Sequence, residues 1–372
     1  MTSRESPSVA FIGVGGSEIV RRSERGIAAF AVDAAVAAIA DAGLTREDID
    51  GYVGAPTATN TGALHVDGSD EIWSRSLVEA LGITGLAWSV DLHRAFPTDM
   101  AVAAAHALRS GACRYVLGVR AMYNLTDVNV AQRAAVTPAE RTHGPATTSA
   151  VGARFATRAN AYMARTGAGR RDLYEVVALA RRNAARNPLA IWRDRPVTFD
   201  EYLAAPMISE PLCRLDCDMP VCAAAAFVMA READIPSGAT QAAWLRGSSG
   251  WQHPRAVFED ARLTPHDIDC AQLYDGFSPM VFEFLESFDF CRPDTAWKFV
   301  REGGGERDGR LPLNTFGGSL GEGRLHGMGH VREAILQISG LAGPRQLPRV
   351  ENCLVQVGPF DYSSCLILAR EP

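Results

Sequence analysis

LTREDID occupies residues 44–50 and LTPHDID residues 263–269, with five of the seven positions identical. Each copy follows a helical run and leads into a strand. The first is preceded by the alanine-rich run from Arg25 to Ala42, stopped by Gly43, and runs into Asp50-Gly51-Tyr52-Val53-Gly54. The second is preceded by another helix and is followed by the strand AQLYD, residues 271–275. Solenoid repeats recur at periods of roughly 20–50 residues, and these copies sit in opposite halves of the chain. The spacing therefore predicts two duplicated halves.

The rest of the chain carries the same alternation. SVAFIGVG (8–15) reads as a strand whose glycines form a tight turn; a dinucleotide site is the weaker alternative, since they do not spell GxGxxG. DMAVAAAHALRSG (99–111) reads as a very apolar helix closed by Gly111, and RYVLGV (114–119) as the strand after it. Residues 120–210 break the rhythm with helices separated by Pro- and Gly-containing turns, as an insertion over one face of a sheet would. Strands CAAAAFVMA and AAWLRGSS, helices MVFEFLESFDF and GHVREAILQISG, and closing strands ENCLVQVG and SSCLILARE restore it. This pattern is α/β, with helix layers around buried sheets. The expected division is residues 1–240, including the insertion, and residues 241–372.

At 372 residues, 47% hydrophobic and 22% charged, with a net charge of −6, the composition is globular and argues against nucleic acid or an anionic membrane as main partner. No basic segment followed by a long apolar stretch opens the chain, and no run approaches the ~18 apolar residues of a membrane span. A cytoplasmic protein is expected. Eight cysteines then read chiefly as small buried hydrophobes, and Cys213-x3-Cys217-x4-Cys222 does not match the usual zinc spacings. No metal is expected.

Two stretches could carry chemistry. LNTFGGSLGEGRLHGMGH (313–330) sets Asn314, Arg324, His326 and His330 among six glycines just before a helix. Backbone of that kind can aim amides at an anion, whether a phosphate or a transient oxyanion; a flexible loop is the competing reading. His326 and His330 lie four apart, but Gly327 and Gly329 weaken a helix there, so His326 reads as an acid/base or hydrogen-bonding group. The second stretch is Tyr274-Asp275-Gly276-Phe277 at a strand end. A satisfied core tyrosine and a helix-capping aspartate are the plain alternatives there.

Together, the duplicated LTxxDID unit, the segment NPLAIWRDRPVTFDEYLAAPMISEPLCRLDC (187–217), the YDGF turn and NTFGGSLGEGRLHGMGH resemble the thiolase superfamily over essentially the whole chain. They are most similar to its sterol-carrier-protein-type thiolases and the related aldolases that cleave steroid side chains. The resemblance implies a thiolase fold: two βαβαβαββ halves in a five-layered αβαβα core, with the insertion over the active site.

The departures point away from acyl transfer. Thiolases place a nucleophilic cysteine at the start of the helix that here begins near Asp99, yet no cysteine occurs from Ala55 to Ala112. A second thiolase cysteine belongs in the turn that here reads VGPFDYSS; Cys353 and Cys365 only flank it. Tyr274 stands where thiolases commonly have histidine, and Gly323-Arg324-Leu325 where they have Gly-His-Pro. A Tyr-Asp pair before Phe, and a His-Gly-Met like His326-Gly327-Met328, are marks of the aldolases, some of which carry a second tyrosine where Arg324 lies.

The resemblance implies retro-aldol cleavage of a β-hydroxyacyl-CoA steroid side chain to a ring ketone and a short acyl-CoA, with no cofactor beyond the CoA of the substrate. Tyr274, His326 and Arg324 are the expected catalytic residues. Tyr274 would serve as base or shuttle, with its pKa lowered by Arg324. Asn314, Gly317, Gly318, Asp275 and Gly358 are the expected substrate-binding residues. A homodimer is implied, joined in a heterotetramer by a small OB-fold/zinc-ribbon partner. The rivals are a transferase using a displaced cysteine, Cys353 or Cys113, and a non-catalytic CoA-ester-binding subunit.

Overall fold

Within each copy of the seven-residue stretch, the threonine and the first aspartate close on each other. Asp48 accepts from the Thr45 amide (2.8 Å) and hydroxyl (2.7 Å), and Asp267 from the Thr264 amide and hydroxyl (both 2.7 Å). The last aspartate then clips a strand distant in sequence. Asp50 accepts from the amides of Arg114 and Tyr115 (both 2.9 Å), and Asp269 from those of Glu351 (2.7 Å) and Asn352 (2.9 Å). Amides at a strand start otherwise lack partners, and a carboxylate satisfies two at once. Asp50→Ala and Asp269→Ala are each expected to cost about 2 kcal/mol, and the double variant about the sum, read from urea unfolding.

The computed structural model describes residues 7–56, 72–92, 95–124, 151–239, 241–250, 252–358 and 363–372. Its main sheet has strands β1 (Val9–Gly16), β2 (Gly51–Gly54), β3 (Trp88–Asp91), β4 (Tyr115–Met122), β7 (Ala223–Arg231), β8 (Ala243–Ser249), β9 (Cys270–Leu273), β10 (Asn352–Gln356) and β11 (Cys365–Ala369). The spatial order is β3-β2-β4-β7-β1-β8-β11-β10-β9. β2 runs parallel to β3 and β4, and β9 parallel to β10; the pairs β4–β7, β1–β7, β8–β11 and β10–β11 are antiparallel. A parallel bridge from Ala271 to Leu313 stands in the second half where β3 stands in the first. The order is thus mirrored about the seam between β1 and β8, where Ala10 pairs with Trp244 and Phe11 with Ala243.

Helix α1 (Ile27–Asp41) covers the outer face of the first half through Phe30, Ala34 and Ala38, against Ala10, Ile12 and Val228. Helix α2 (Ser74–Leu81) packs beside it. Helices α3 (Pro97–Arg109) and α11 (Met328–Ser339) touch each other and strands of both halves, so they lie between them. Helix α7 (Ala256–Ala261) covers the outer face of β8 and β11. The sequence is helix, half-sheet, helix pair, half-sheet, helix.

The glycines of β1 do not turn the chain. Gly13 and Gly15 lie inside the strand against the α1 backbone, and a Cβ on Gly13 would stand 2.7 Å from the Ala42 side chain. They let the alanine-rich helix approach closely, which disposes of both the turn and the dinucleotide reading.

The described part of the insertion holds α4 (Val151–Thr166), α5 (Arg170–Ala184), α6 (Phe199–Ala204) and the hairpin β5 (Met207–Ser209) and β6 (Leu212–Cys213). Helices α8 (Met280–Ser287), α9 (Ala296–Arg301) and α10 (Gly318–Glu322) complete the chain. The insertion grips both chemical stretches. Phe155 of α4 stacks on Phe277 at 4.3 Å, and Arg158 pairs with Glu283 of α8 at 2.5 Å. From α5 and its C-terminal extension, Asn183 donates to Leu313 O (2.9 Å) and Asn187 to Phe316 O (2.9 Å). Among the described residues, no helix is long and apolar enough to cross a membrane.

Candidate active site

β9 stops at Leu273, and the next residue is held by its neighbour strand: the Tyr274 amide donates to Gln356 O of β10 (2.9 Å). This fixes the phenol ring between two histidines and a phenylalanine. Ring centroids lie 6.5 Å away for His326, 5.7 Å for His330 and 6.2 Å for Phe96. Gly276 is required beneath the ring, since a Cβ there would stand 2.8 Å from the phenol atoms. The Tyr274 side chain is buried, and its hydroxyl makes no hydrogen bond among the described residues.

Burial raises the Tyr274 pKa well above its usual 10; the nearby carboxylates Asp218 and Asp275 add to this, while Arg324 and Arg120 pull the other way. The expectation that Arg324 lowers the pKa is therefore corrected. Its pull is real, but desolvation of a buried phenolate outweighs it. At neutral pH Tyr274 is a phenol.

Arg324 and Asp218 are placed by backbone pairing of the segment after β6 with the site. The Asp218 amide donates to Gly276 O (3.1 Å), and the Arg324 amide to Met219 O (2.8 Å). One Arg324 nitrogen then lies 3.7 Å from an Asp218 oxygen, both side chains largely buried. Asp216, two residues earlier, anchors the strip: it accepts from the hydroxyls of Ser278 (2.6 Å) and Tyr202 (2.8 Å).

His326 and His330 do not form a pair on one helix face. His326 precedes α11 with φ +52°, and its Nδ1 lies 2.5 Å from a guanidinium nitrogen of Arg120 on β4. Its ring lies 4.9 Å from that of Phe96, the N-cap of α3. Burial, then Arg120 and Arg324, hold its pKa well below the usual histidine range. His330 faces the other way, with Nε2 3.1 Å from Asp275.

The expected binding groups divide. Asp275 accepts from the amides of Ser319 (2.6 Å) and Leu320 (3.3 Å) as well as meeting His330. The glycine stretch does bind an anion at a helix start, but the anion is the protein's own Asp275, only 1% exposed. Gly318, at φ +62°, makes room for that carboxylate, and the Gly317 amide donates to Asn314 O (2.8 Å). Asn314 is also engaged: its side-chain oxygen accepts from the Leu273 amide (2.7 Å) and its NH2 donates to Leu273 O (2.8 Å). It extends the β9 ladder where a strand partner ends. Asn314, Asp275, Gly317 and Gly318 thus help build the frame of the site. Gly358, at φ +81°, allows the Phe96 ring to lie 2.7 Å from where its Cβ would be. The rest of that turn, 359–362, falls outside the described residues.

Sequence reasoning missed Arg120 and Asp218. A lone charge inside the apolar strand run LGVRAM was the available signal for Arg120, which is 1% exposed and also donates to the carbonyls of Ala55 and Ala95. Asp218 was overlooked beside the cysteines of CRLDCDMP.

None of the three thiols nearest the expected nucleophile positions or offered as displaced ones fits a nucleophile's part. Phe96 holds the start of α3, and Cys353, Cys365 and Cys113 are buried. Burial pushes Cys365 and Cys113 up to about 12 and Cys353 well above its usual value. Cys113 also lies seven residues before Arg120, about 20 Å along β4. Among the described residues, no three His, Cys, Asp or Glu side chains converge as a metal site would need.

The Thiolase C-terminal domain-like family model matches residues 244–370. The chain is 30% identical to the 17-hydroxy-3-oxo-4-pregnene-20-carboxyl-CoA lyase of Mycobacterium tuberculosis, over 98% of this chain and 99% of that one. It is 32% identical to a steroid side-chain-cleaving aldolase of Thermomonospora curvata, over 98% of each. Among solved structures, the Ltp2-ChsH2(DUF35) aldolase superposes with a TM-score of 0.84 at 28% identity, covering 99% of both chains. A likeness that runs end to end, on a mirrored fold whose central helix start carries no cysteine, decides the family: the chain belongs to the thiolase superfamily, among its steroid side-chain-cleaving aldolases.

Proposed function

We propose that this chain cleaves a steroid side-chain CoA thioester bearing a hydroxyl β to the thioester carbonyl. The products are a ring ketone and propionyl- or acetyl-CoA. One observation carries the reading: a buried phenol, Tyr274, with its hydroxyl unbonded among the described residues, stands in a thiolase-type site whose helix start carries no cysteine. Retro-aldol cleavage needs no nucleophile. The substrate hydroxyl loses its proton, the Cα–Cβ bond breaks, and the thioester enolate is protonated at Cα.

A phenol with a raised pKa suits a relay better than a standing base. Tyr274 gives its own proton to the enolate carbon and takes the substrate hydroxyl proton in return, so it never has to persist as phenolate. Arg324 favours the transient negative charge, and neutral His326 donates to the thioester oxygen. The relatives' names support the substrate class, and the name of the matched complex supports a DUF35 partner; a small OB-fold protein completing the pocket is the form proposed for it. A homodimer joined by that partner in the cytoplasm is part of the same proposal.

Mass spectrometry of products from a 17-hydroxy steroid side-chain CoA thioester, with the protein alone and co-expressed with such a partner, tests this. Ketone plus short acyl-CoA, unaffected by prior alkylation with iodoacetamide, is the expected result. Acyl exchange between CoA esters that alkylation abolishes would put a cysteine transferase in its place. Binding without turnover, partner included, would leave a non-catalytic subunit.

A further inference from the structure

An arginine N–H can only donate, so the Arg120 nitrogen 2.5 Å from His326 Nδ1 requires that Nδ1 accept. The ring proton then resides on Nε2. His326 Nε2 makes no hydrogen bond among the described residues, and the ring keeps partial exposure. It therefore presents one unsatisfied donor beside the unbonded hydroxyl of Tyr274, their rings nearly perpendicular at 85°.

We infer that Arg120 is a positioning residue: it holds His326 in the Nε2–H tautomer and makes that ring a dedicated donor to the thioester oxygen, leaving proton transfer to Tyr274. Arg120 is anchored on β4 and also donates to Ala55 O and Ala95 O, so its fork cannot swing away without stranding buried carbonyls. The Phe96 ring packs against the imidazole, tilted by 34°, and restricts its plane. A ring free to flip would offer a lone pair to the thioester oxygen half of the time and repel it.

The groups facing His326 are Arg120 from β4, Arg324 after α10, Tyr274 after β9 and Phe96 at the start of α3; Asp218 faces Arg324, and His330 and Asp275 lie beyond Tyr274. Burial, and after it both arginines, disfavour the imidazolium, so His326 is neutral at neutral pH. Removing Arg120 removes one of these pulls and moves the His326 titration up, toward the usual value of about 6.5.

The first test needs neither variant nor turnover. In 15N-histidine-labelled protein, with the His326 signals assigned by their loss in His326→Gln, Nδ1 is expected to be an unprotonated acceptor and Nε2 to carry the proton throughout pH 6–8. A proton on Nδ1 overturns the inference. Arg120→Met is then expected to show mixed tautomers and a titration shifted upward from that of the native protein. It should lower kcat on the order of 10–100-fold with little change in KM, the scale found for groups that orient metal-bound histidines. Its kcat/KM should also acquire a fall on the acid side that the native enzyme lacks. If Arg120→Met does not fold, Arg120→Lys, which keeps a cation and a donor, is expected to preserve the tautomer and part of the activity. An unchanged tautomer and pH profile in Arg120→Met sinks Arg120's role while leaving the retro-aldol reading intact. The role of His326 as donor to a thioester rests on that reading; the tautomer does not, and is measurable even in a protein that fails to cleave the steroid substrate.

Discussion

Tyr274→Phe is expected to fold as the native protein does and to lose roughly 10³-fold in kcat for side-chain cleavage, in keeping with the 10²–10⁴-fold that a positioned proton-transfer group supplies. The fold survives because the deleted oxygen has no hydrogen bond among the described residues to forfeit. The ring keeps its contacts with Phe96, His326 and His330. Thermal unfolding should therefore move little, within about 0.5 kcal/mol. Activity collapses because no other described group at that point both gives and takes a proton: His326 is held neutral, and Asp275 is consumed by backbone amides. Full turnover by Tyr274→Phe would remove the phenol from the mechanism and direct attention to Asp218. Because the phenol pKa lies well above 10, native activity should show no decline from Tyr274 ionisation up to pH 9. A base-side fall below pH 9 that Tyr274→Phe abolishes would contradict the relay.

Asp275→Ala carries the largest expected stability effect, about 3–5 kcal/mol by urea unfolding, with activity lost alongside. The carboxylate is buried and holds the amides of Ser319 and Leu320 together with His330. Alanine leaves two buried amides and an imidazole without their acceptor, and breaking a buried charged contact costs this much because the orphaned partners remain in place. It also frees the start of α10, which precedes Arg324 and His326. A loss below about 1 kcal/mol would show that water or rearrangement replaces the carboxylate, and that the frame does not depend on it.

The duplicated halves were legible in the sequence because the signals that mark them are local. Thr45 and Asp48, like Thr264 and Asp267, are three residues apart and bond whatever the rest of the chain does. Alternating apolar runs likewise placed the strands of the main sheet to within about three residues, except β3, which went unread. Anion-binding backbone was one of two readings open for the glycines of 313–330, and the anion they hold is Asp275, 44 residues before Ser319. That separation hid it. Gly13 and Gly15 were misread because the reason for them is the α1 backbone, a partner that a strand pattern does not announce.

By itself, then, the sequence determined the α/β alternation, the duplication, the lack of a cysteine at the helix start and the residue types able to move protons, since each is written in adjacent or periodic positions. The tertiary structure alone decided that Asn314 mends a strand edge, that Arg120 reaches His326 from a strand 206 residues earlier, and that Tyr274 is a protonated phenol. Protonation state and tautomer depend on burial and on which charges lie within a few ångströms, and neither exists until the chain has folded.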